Sequence, residues 1–155
     1  NGTIRENVRL ARITASDAEV EAALERLGVL AHFERLPEGL DTQVRERGTR
    51  LSAGERQLVA LGRAALIDPA VLVLDEATSN LDPGTEAEVE AALDRLMQGR
   101  TTIVVAHRLS TVQRADRIVV VDQARIAETG THNELVALGG KYAALARAWE
   151  KSHSV

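Results

Sequence analysis

The order of apolar and polar positions divides the chain into a helical first part and a strand-bearing second part. Val20, Leu24 and Leu27 recur at i, i+4 and i+7 behind Ser16-Asp17-Ala18-Glu19, and Gly28 closes the run. A Ser three residues ahead of a Glu lets the two satisfy free backbone N–H groups reciprocally, so this spacing predicts an amphipathic helix opened by a capping box. Residues 32–50 hold Pro37, Gly39 and Gly48 with little periodicity and are expected to be mostly loop, with one short helical turn. Ser52 and Glu55 then open a second helix, whose Leu58, Val59, Leu61, Ala65 and Leu66 share a face, and Asp68-Pro69 ends it.

After Pro69 the period changes. Ala70–Leu74, Thr102–Ala106 and Ile118–Val121 are short continuous apolar runs, which read as buried parallel strands. Between the first two, Asp82 as N-cap and Pro83 at the first helical position open a helix carrying Val89, Leu93 and Leu96, closed near Gly99. Strand, helix, strand at this spacing is a βαβ unit with a right-handed crossover, which sets the fold class as α/β. Asp122-Gln123-Ala124 predicts a turn into Arg125–Thr129 and hence a hairpin at the sheet edge. Thr131 and Glu134 form a further capping pair before a short helix to Leu138, a Gly139-Gly140 break and a last helix through Trp149.

Composition narrows the chemistry. With 155 residues, 45% apolar, and one Phe, one Tyr and one Trp, the chain can bury a core, and that core must be aliphatic. A net charge of −4 with scattered Arg gives no concentrated basic surface, which argues against nonspecific binding to nucleic acid. The absence of Cys excludes a disulfide framework, a thiolate metal site and a cysteine nucleophile. No apolar run reaches the ~18 residues that span a bilayer. Asn1-Gly2-Thr3 is neither an initiator Met nor a signal peptide, so the chain reads as a piece of a longer one. Its 17 Arg against 2 Lys read as codon usage in a GC-rich bacterial genome.

In an open parallel sheet, ligands bind beyond the carboxyl ends of the strands. Asp75-Glu76 follow the first predicted strand and His107 follows the second. An acidic pair there can hold a hydrated Mg²⁺ and orient a water, and an imidazole can donate to a phosphate oxygen. Taken singly, each could be a cap or an ordinary loop histidine; their joint placement in one βαβ unit favours a site. The segment Leu51-Ser52-Ala53-Gly54-Glu55 brings small residues to a helix N-terminus, where unpaired N–H groups and the dipole can bind an anion or where Ser52 is simply an N-cap.

Leu51-Ser52-Ala53-Gly54-Glu55 with Arg56-Gln57, the run from Val71 through Asp75-Glu76 to Asp82, and Ala106-His107-Arg108-Leu109-Ser110 together resemble the nucleotide-binding domain of ATP-binding cassette (ABC) transporters. The motifs stand in family order at family spacing. Gly2–Asn7 is similar to the segment after the glutamine loop of exporters, Thr42–Gly48 to their X-loop, and Gly130–Glu134 to their C-terminal stretch, so the likeness covers essentially the whole chain. It implies the C-terminal part of a P-loop NTPase domain: a helical subdomain with X-loop and signature over 1–68, a catalytic core with Walker B, D-loop and switch over 69–130, and C-terminal helices over 131–155.

The resemblance also implies roles. Asp75 would support Mg²⁺ through water, Glu76 would polarise the attacking water, and His107 would sense the γ-phosphate. Ser52, Ala53, Gly54 and Glu55 form the signature that would reach ATP held by an opposite protomer, and Asp82 would relay across the dimer. ATP and Mg²⁺ are the implied cofactors. The implied partners are a second nucleotide-binding domain, identical or not, and a fused or associated membrane domain reached through its coupling helices, with no nucleic acid. The implied place is the cytoplasmic side of the bacterial inner membrane, with the fragment itself soluble. The implied function is the ATP-hydrolysing motor of an exporter of multidrug, lipid or peptide type. A second reading is a soluble ABC ATPase acting on nucleic acid or ribosomes, which would lack the segments like Gly2–Asn7 and Thr42–Gly48 that in exporters face the coupling helices of the membrane domain. A third, a regulatory module with vestigial motifs, is discouraged by the presence of Asp75, Glu76 and His107.

The phosphate-cradling G-x-x-x-x-G-K-[ST] motif is absent: at Gly139-Gly140-Lys141, position 135 is Leu and position 142 is Tyr. The chain alone is therefore expected to bind ATP poorly, and to expose strand edges that invite pairing with other chains. Three positions depart from the common family pattern: Ala53 replaces Gly, Glu55 stands where Gln is usual, and Arg45 stands where the X-loop has Gly. As the third helical residue of a capping box, Glu55 is expected to point back at the Ser52 N–H.

Overall fold

The computed structural model describes residues 2–44, 50–75, 83–106 and 109–152. In chain order the elements are α1 (Ile4–Arg9), α2 (Asp17–Leu27), α3 (Leu30–Glu34), a 3-10 turn (Gly39–Asp41), α4 (Ala53–Ile67), β1 (Val71–Asp75), α5 (Pro83–Met97), β2 (Thr101–Val105), α6 (Leu109–Gln113), β3 (Ile118–Asp122), β4 (Arg125–Gly130), α7 (His132–Leu138) and α8 (Lys141–Ser152). They form two compact units, residues 1–74 with 78–103 and residues 75–77 with 104–155.

The first unit is built on α4, which packs against α1, α2 and α5. Its aliphatic stripe meets those of its neighbours in a core that includes Val8, Leu24, Phe33, Leu58, Leu72, Val89 and Leu96. The predicted α2 and α4 begin at their capping boxes, with Ser16 and Ser52 as N-caps. Helix α1 was not foreseen. At six residues it is too short to stand on propensity. Tertiary contacts hold it: Ile4 and Val8 are fully buried, the Arg63 Nε of α4 donates to the Asn7 carbonyl (2.7 Å), and Asn7 Nδ2 donates to the Thr3 carbonyl (2.8 Å). Helix α3 likewise falls largely in the stretch read as loop, and it forms around the buried Phe33. One surface helix pair is tied by charge, since Arg5 Nη1 donates to Glu21 (2.7 Å), and that bond holds the Arg5 guanidinium above its ordinary value.

Strands β1 and β2 pair in a two-stranded parallel sheet joined through α5, as the βαβ pattern predicts. The strands read as buried are so in part, with cover on at least one face as expected for an α/β sheet: Leu72 enters the core, while Val71, Val73, Ile103 and Val105 are exposed. The described residues cover one face only, leaving an apolar surface on the other.

In the second unit β3 does not join a parallel sheet. It pairs antiparallel with β4 in a separate two-stranded sheet, from Ile118 opposite Gly130 to Asp122 opposite Arg125, with a bulge between Val120 and Val121. The apolar run Ile118–Val121 is compatible with either partner; the short turn decides, because Gln123 and Ala124 both take positive φ (47° and 58°), the twist of a two-residue hairpin. Ile118, Val120, Val112, Leu135, Tyr142 and Ala146 form this unit's own core. Helix α7 starts at the predicted Thr131 cap, whose backbone N–H and hydroxyl hold the Glu134 carboxyl below its ordinary value. Burial raises the Tyr142 hydroxyl, which lies 2.7 Å from His132 Nδ1.

The Gly139-Gly140 break has a local cause. Gly139 caps α7 in the left-handed region (φ 69°), and a Cβ on Gly140 would lie 2.2 Å from Glu128 Oε1. Glu128 sits there because it accepts from the Lys141 N–H (2.6 Å) and the Tyr142 N–H (3.0 Å) at the head of α8. Glu128→Ala leaves both donors without this acceptor, and is expected to cost about 1 kcal/mol in equilibrium denaturation. An unchanged midpoint would contradict that capping role.

Candidate functional site

The head of α4 carries four of the expected site residues. Ser52 has extended backbone (φ −60°, ψ 165°), and its Oγ accepts from the Glu55 N–H at 3.1 Å. Glu55 Oε2 accepts from the Ser52 N–H at 2.7 Å, so the carboxylate does turn back into the capping box. Ser52 and Ala53 are exposed, at the positive end of a 15-residue helix. Leu51 is buried behind them, and the Arg56 guanidinium donates to its carbonyl (2.7 Å), which fixes the approach of the chain. Gly54 is buried for a reason the motif alone does not reveal: a Cβ there would lie 1.9 Å from Thr85 Cγ2 of α5. The absent side chain lets α5 close on the first turn of α4.

Asp75 is the last residue of β1 and is exposed; β2 ends at Val105 in the same sheet. Glu76, Asp82 and His107 lie outside the described residues, as does Arg45. The proposed Asp82 N-cap is outside them too. Among the described residues no group of three or more His, Asp or Glu could hold a metal on its own. That is compatible with Mg²⁺, which keeps most of its waters and binds through one or two carboxylates plus phosphate oxygens. Asp75 offers one such carboxylate.

The structure also joins the two segments singled out at the start of the chain and before the signature. The Ile4 N–H donates to the Thr42 carbonyl (3.0 Å) and the Val44 N–H to the Gly2 carbonyl (2.8 Å), with Thr3 bridged to Gln43. One residue near the signature escaped the sequence reading. His32 of α3 lies with Nε2 3.6 Å from Glu55 Oε1 and Nδ1 2.5 Å from Glu88 Oε2 of α5. It sits in a stretch without periodicity, so no pattern could mark it.

The ABC transporter family profile matches residues 1–79, just over half of the chain. The protein named uncharacterized ABC transporter ATP-binding protein YfiC of Bacillus subtilis (strain 168) is 50% identical over 144 residues, 93% of this chain and 24% of that protein. The beta-(1-->2)glucan export ATP-binding/permease protein NdvA of Rhodopseudomonas palustris (strain BisB5) is 52% identical over 148 residues, 96% of this chain and 25% of its own length. Among solved structures, a bacterial Atm1-family ABC exporter with ATP bound superposes with a TM-score of 0.83 at 42% identity, over 100% of this chain and 27% of that one. The fold is that of an ABC-type P-loop ATPase, and the chain belongs to the ABC transporter family. It spans about a quarter of the length of these curated relatives.

Proposed function

We propose that this chain is the signature- and Walker B-bearing part of the ATP-hydrolysing motor of an exporter, acting within a longer protein that carries a membrane domain. The observation that carries this reading is the 52% identity, over 96% of the chain, to a protein named as an export ATP-binding/permease protein. The hydrogen-bonded pairing of Gly2–Ile4 with Thr42–Val44 supports it further, because these are the two segments that resemble coupling elements of exporters. The alternative of a soluble ATPase on nucleic acid or ribosomes has no observation in its favour. Among the described residues no helix is long and apolar enough to cross a membrane.

The chemistry follows from the placement of each group. Phosphoryl transfer needs positioning and charge stabilisation more than covalent help. The free N–H groups at the head of α4, with the exposed Ser52 hydroxyl beside them, bind the terminal phosphate of ATP presented by a second nucleotide-binding domain. Asp75 accepts hydrogen bonds from the water shell of Mg²⁺, Glu76 takes the proton of the attacking water, and His107 donates to the γ-phosphate. When bound, Mg²⁺ neutralises charge on the phosphate oxygens. Asp82 lies at the dimer seam in this reading, and the site works on the cytoplasmic side of the membrane. The functional divisions 1–68, 69–130 and 131–155 belong to the same reading.

The test is ATP hydrolysis by the longer protein in detergent or lipid nanodiscs, set beside calorimetric titration of the 155-residue chain with Mg-ATP. Hydrolysis in the former and no saturable micromolar binding in the latter are expected, since the residues that would cradle the β-phosphate are not in this sequence. An inactive longer protein would sink the reading.

A further inference from the structure

Glu55 raises a physical difficulty for the function proposed above, and its neighbour resolves it. A carboxylate in the first turn of α4 stands at the place where an anionic phosphate would bind, competing for the same N–H groups and repelling the incoming charge. A neutral side chain of the same length would not. We propose that His32 is a positioning residue for the signature: its ring holds the Glu55 carboxylate back in the capping box and offsets its charge, so that the head of α4 accepts the phosphate of ATP. This rests on the reading given under Proposed function.

The two oxygens of Glu55 have separate partners. Oε2 takes the Ser52 N–H at 2.7 Å, and Oε1 faces His32 Nε2 at 3.6 Å. Held at Oε2 and faced by the imidazole at Oε1, the carboxylate stays within the capping box. The other face of the ring is braced by charge as well, with Glu88 Oε2 of α5 2.5 Å from Nδ1 and Arg35 Nη2 3.4 Å from Glu88 Oε1. Phe33, fully buried, meets the ring edge-on at 5.5 Å and fixes its plane. Both ring nitrogens are buried, and neither makes a hydrogen bond of regular geometry among the described residues. Buried polar atoms left so are costly, and here each has a carboxylate to face. A carboxylate oxygen facing each ring nitrogen suits a ring with protons on both, and in this proposal that form supplies the positive charge which offsets Glu55. Elements α3, α4 and α5 each supply one member of the array, Glu88–His32–Glu55, all within the first unit.

The experiment compares His32→Ala in the longer protein with the same change in a Glu55→Gln background, reading KM for ATP and kcat separately. Charge offset acts on the phosphate alike before and during reaction, so its loss is uniform binding energy and moves KM, not kcat. His32→Ala is expected to raise KM about two- to fivefold, the size of a charge effect at a helix end. With Glu55→Gln already present, adding His32→Ala is expected to move KM by less than about twofold, because there is no charge left to offset. An equal rise in both backgrounds would mean that His32 merely packs α3 against its neighbours, and an unchanged KM in the first background would also overturn the proposal. Should His32→Ala fail to fold, His32→Gln keeps a planar polar group without the charge and is scored the same way. Absence of hydrolysis by the unmodified protein would instead overturn the reading on which this rests.

Discussion

Glu76→Gln in the longer protein is expected to lower steady-state ATP hydrolysis by about 10²- to 10⁴-fold, the usual contribution of a positioned general base. The amide keeps the length and shape of the side chain but cannot take the proton of the attacking water. Binding should survive, because the phosphate contacts assigned to Ser52 and to the N–H groups of α4 are untouched, as is the carboxylate of Asp75. The variant should therefore accumulate with ATP unhydrolysed between two nucleotide-binding domains. Two measurements check this: phosphate release at saturating ATP, and the nucleotide retained after rapid removal of the free pool. Undiminished release would remove Glu76 from its role. Lost release with lost retention would mean that the substitution damages binding, and the base would then have to be sought elsewhere.

How far the sequence could carry these conclusions depended on the range of the interactions involved. Capping boxes are written in four adjacent residues, so Ser16, Ser52 and Thr131 were legible as helix starts, and the backward turn of Glu55 followed from the same local chemistry. The Gln123-Ala124 turn was legible for the same reason. Short elements held by distant partners were not. Helix α1 carries its own capping box at Thr3 and Glu6, yet its six residues are ordered by Arg63, fifty-six positions further on. Strand identity was readable but strand partnership was not: a run such as Ile118–Val121 fits a parallel or an antiparallel neighbour equally. The site divides in the same way. Ser52, Ala53, Gly54, Glu55 and Asp75 could be named from motif order, whereas Thr85 against Gly54 and His32 against Glu55 arise only from folding.

Gly54→Ala is expected to destabilise the protein by about 1–3 kcal/mol, the cost of forcing a methyl into a filled space. The new Cβ would lie 1.9 Å from Thr85 Cγ2 and 2.8 Å from Thr85 Cβ. Rotation of Thr85 about χ1 can move Cγ2, but it cannot move Cβ, so α5 or the first turn of α4 must shift. In a thermal melt of a protein of 150–250 residues each kcal/mol corresponds to about 2–4 °C. Alanine favours helix more than glycine by about 1 kcal/mol, so a Gly54 kept only for its backbone freedom would show the opposite sign. That contrast makes the direction decisive. Thr85→Ala removes Cγ2 but leaves Cβ in place, so combining it with Gly54→Ala should recover part of the loss and leave a remainder. A coupling of 0.5–3 kcal/mol between the two positions is the expected signature of direct contact. Strict additivity would separate Gly54 from α5. The same shift displaces the N–H groups at the head of α4, so ATP hydrolysis in the longer protein should fall with Gly54→Ala and return in step with the melt when Thr85→Ala is added. Recovery of stability without recovery of hydrolysis would mean that the backbone at Gly54 touches the nucleotide directly, a role beyond admitting α5.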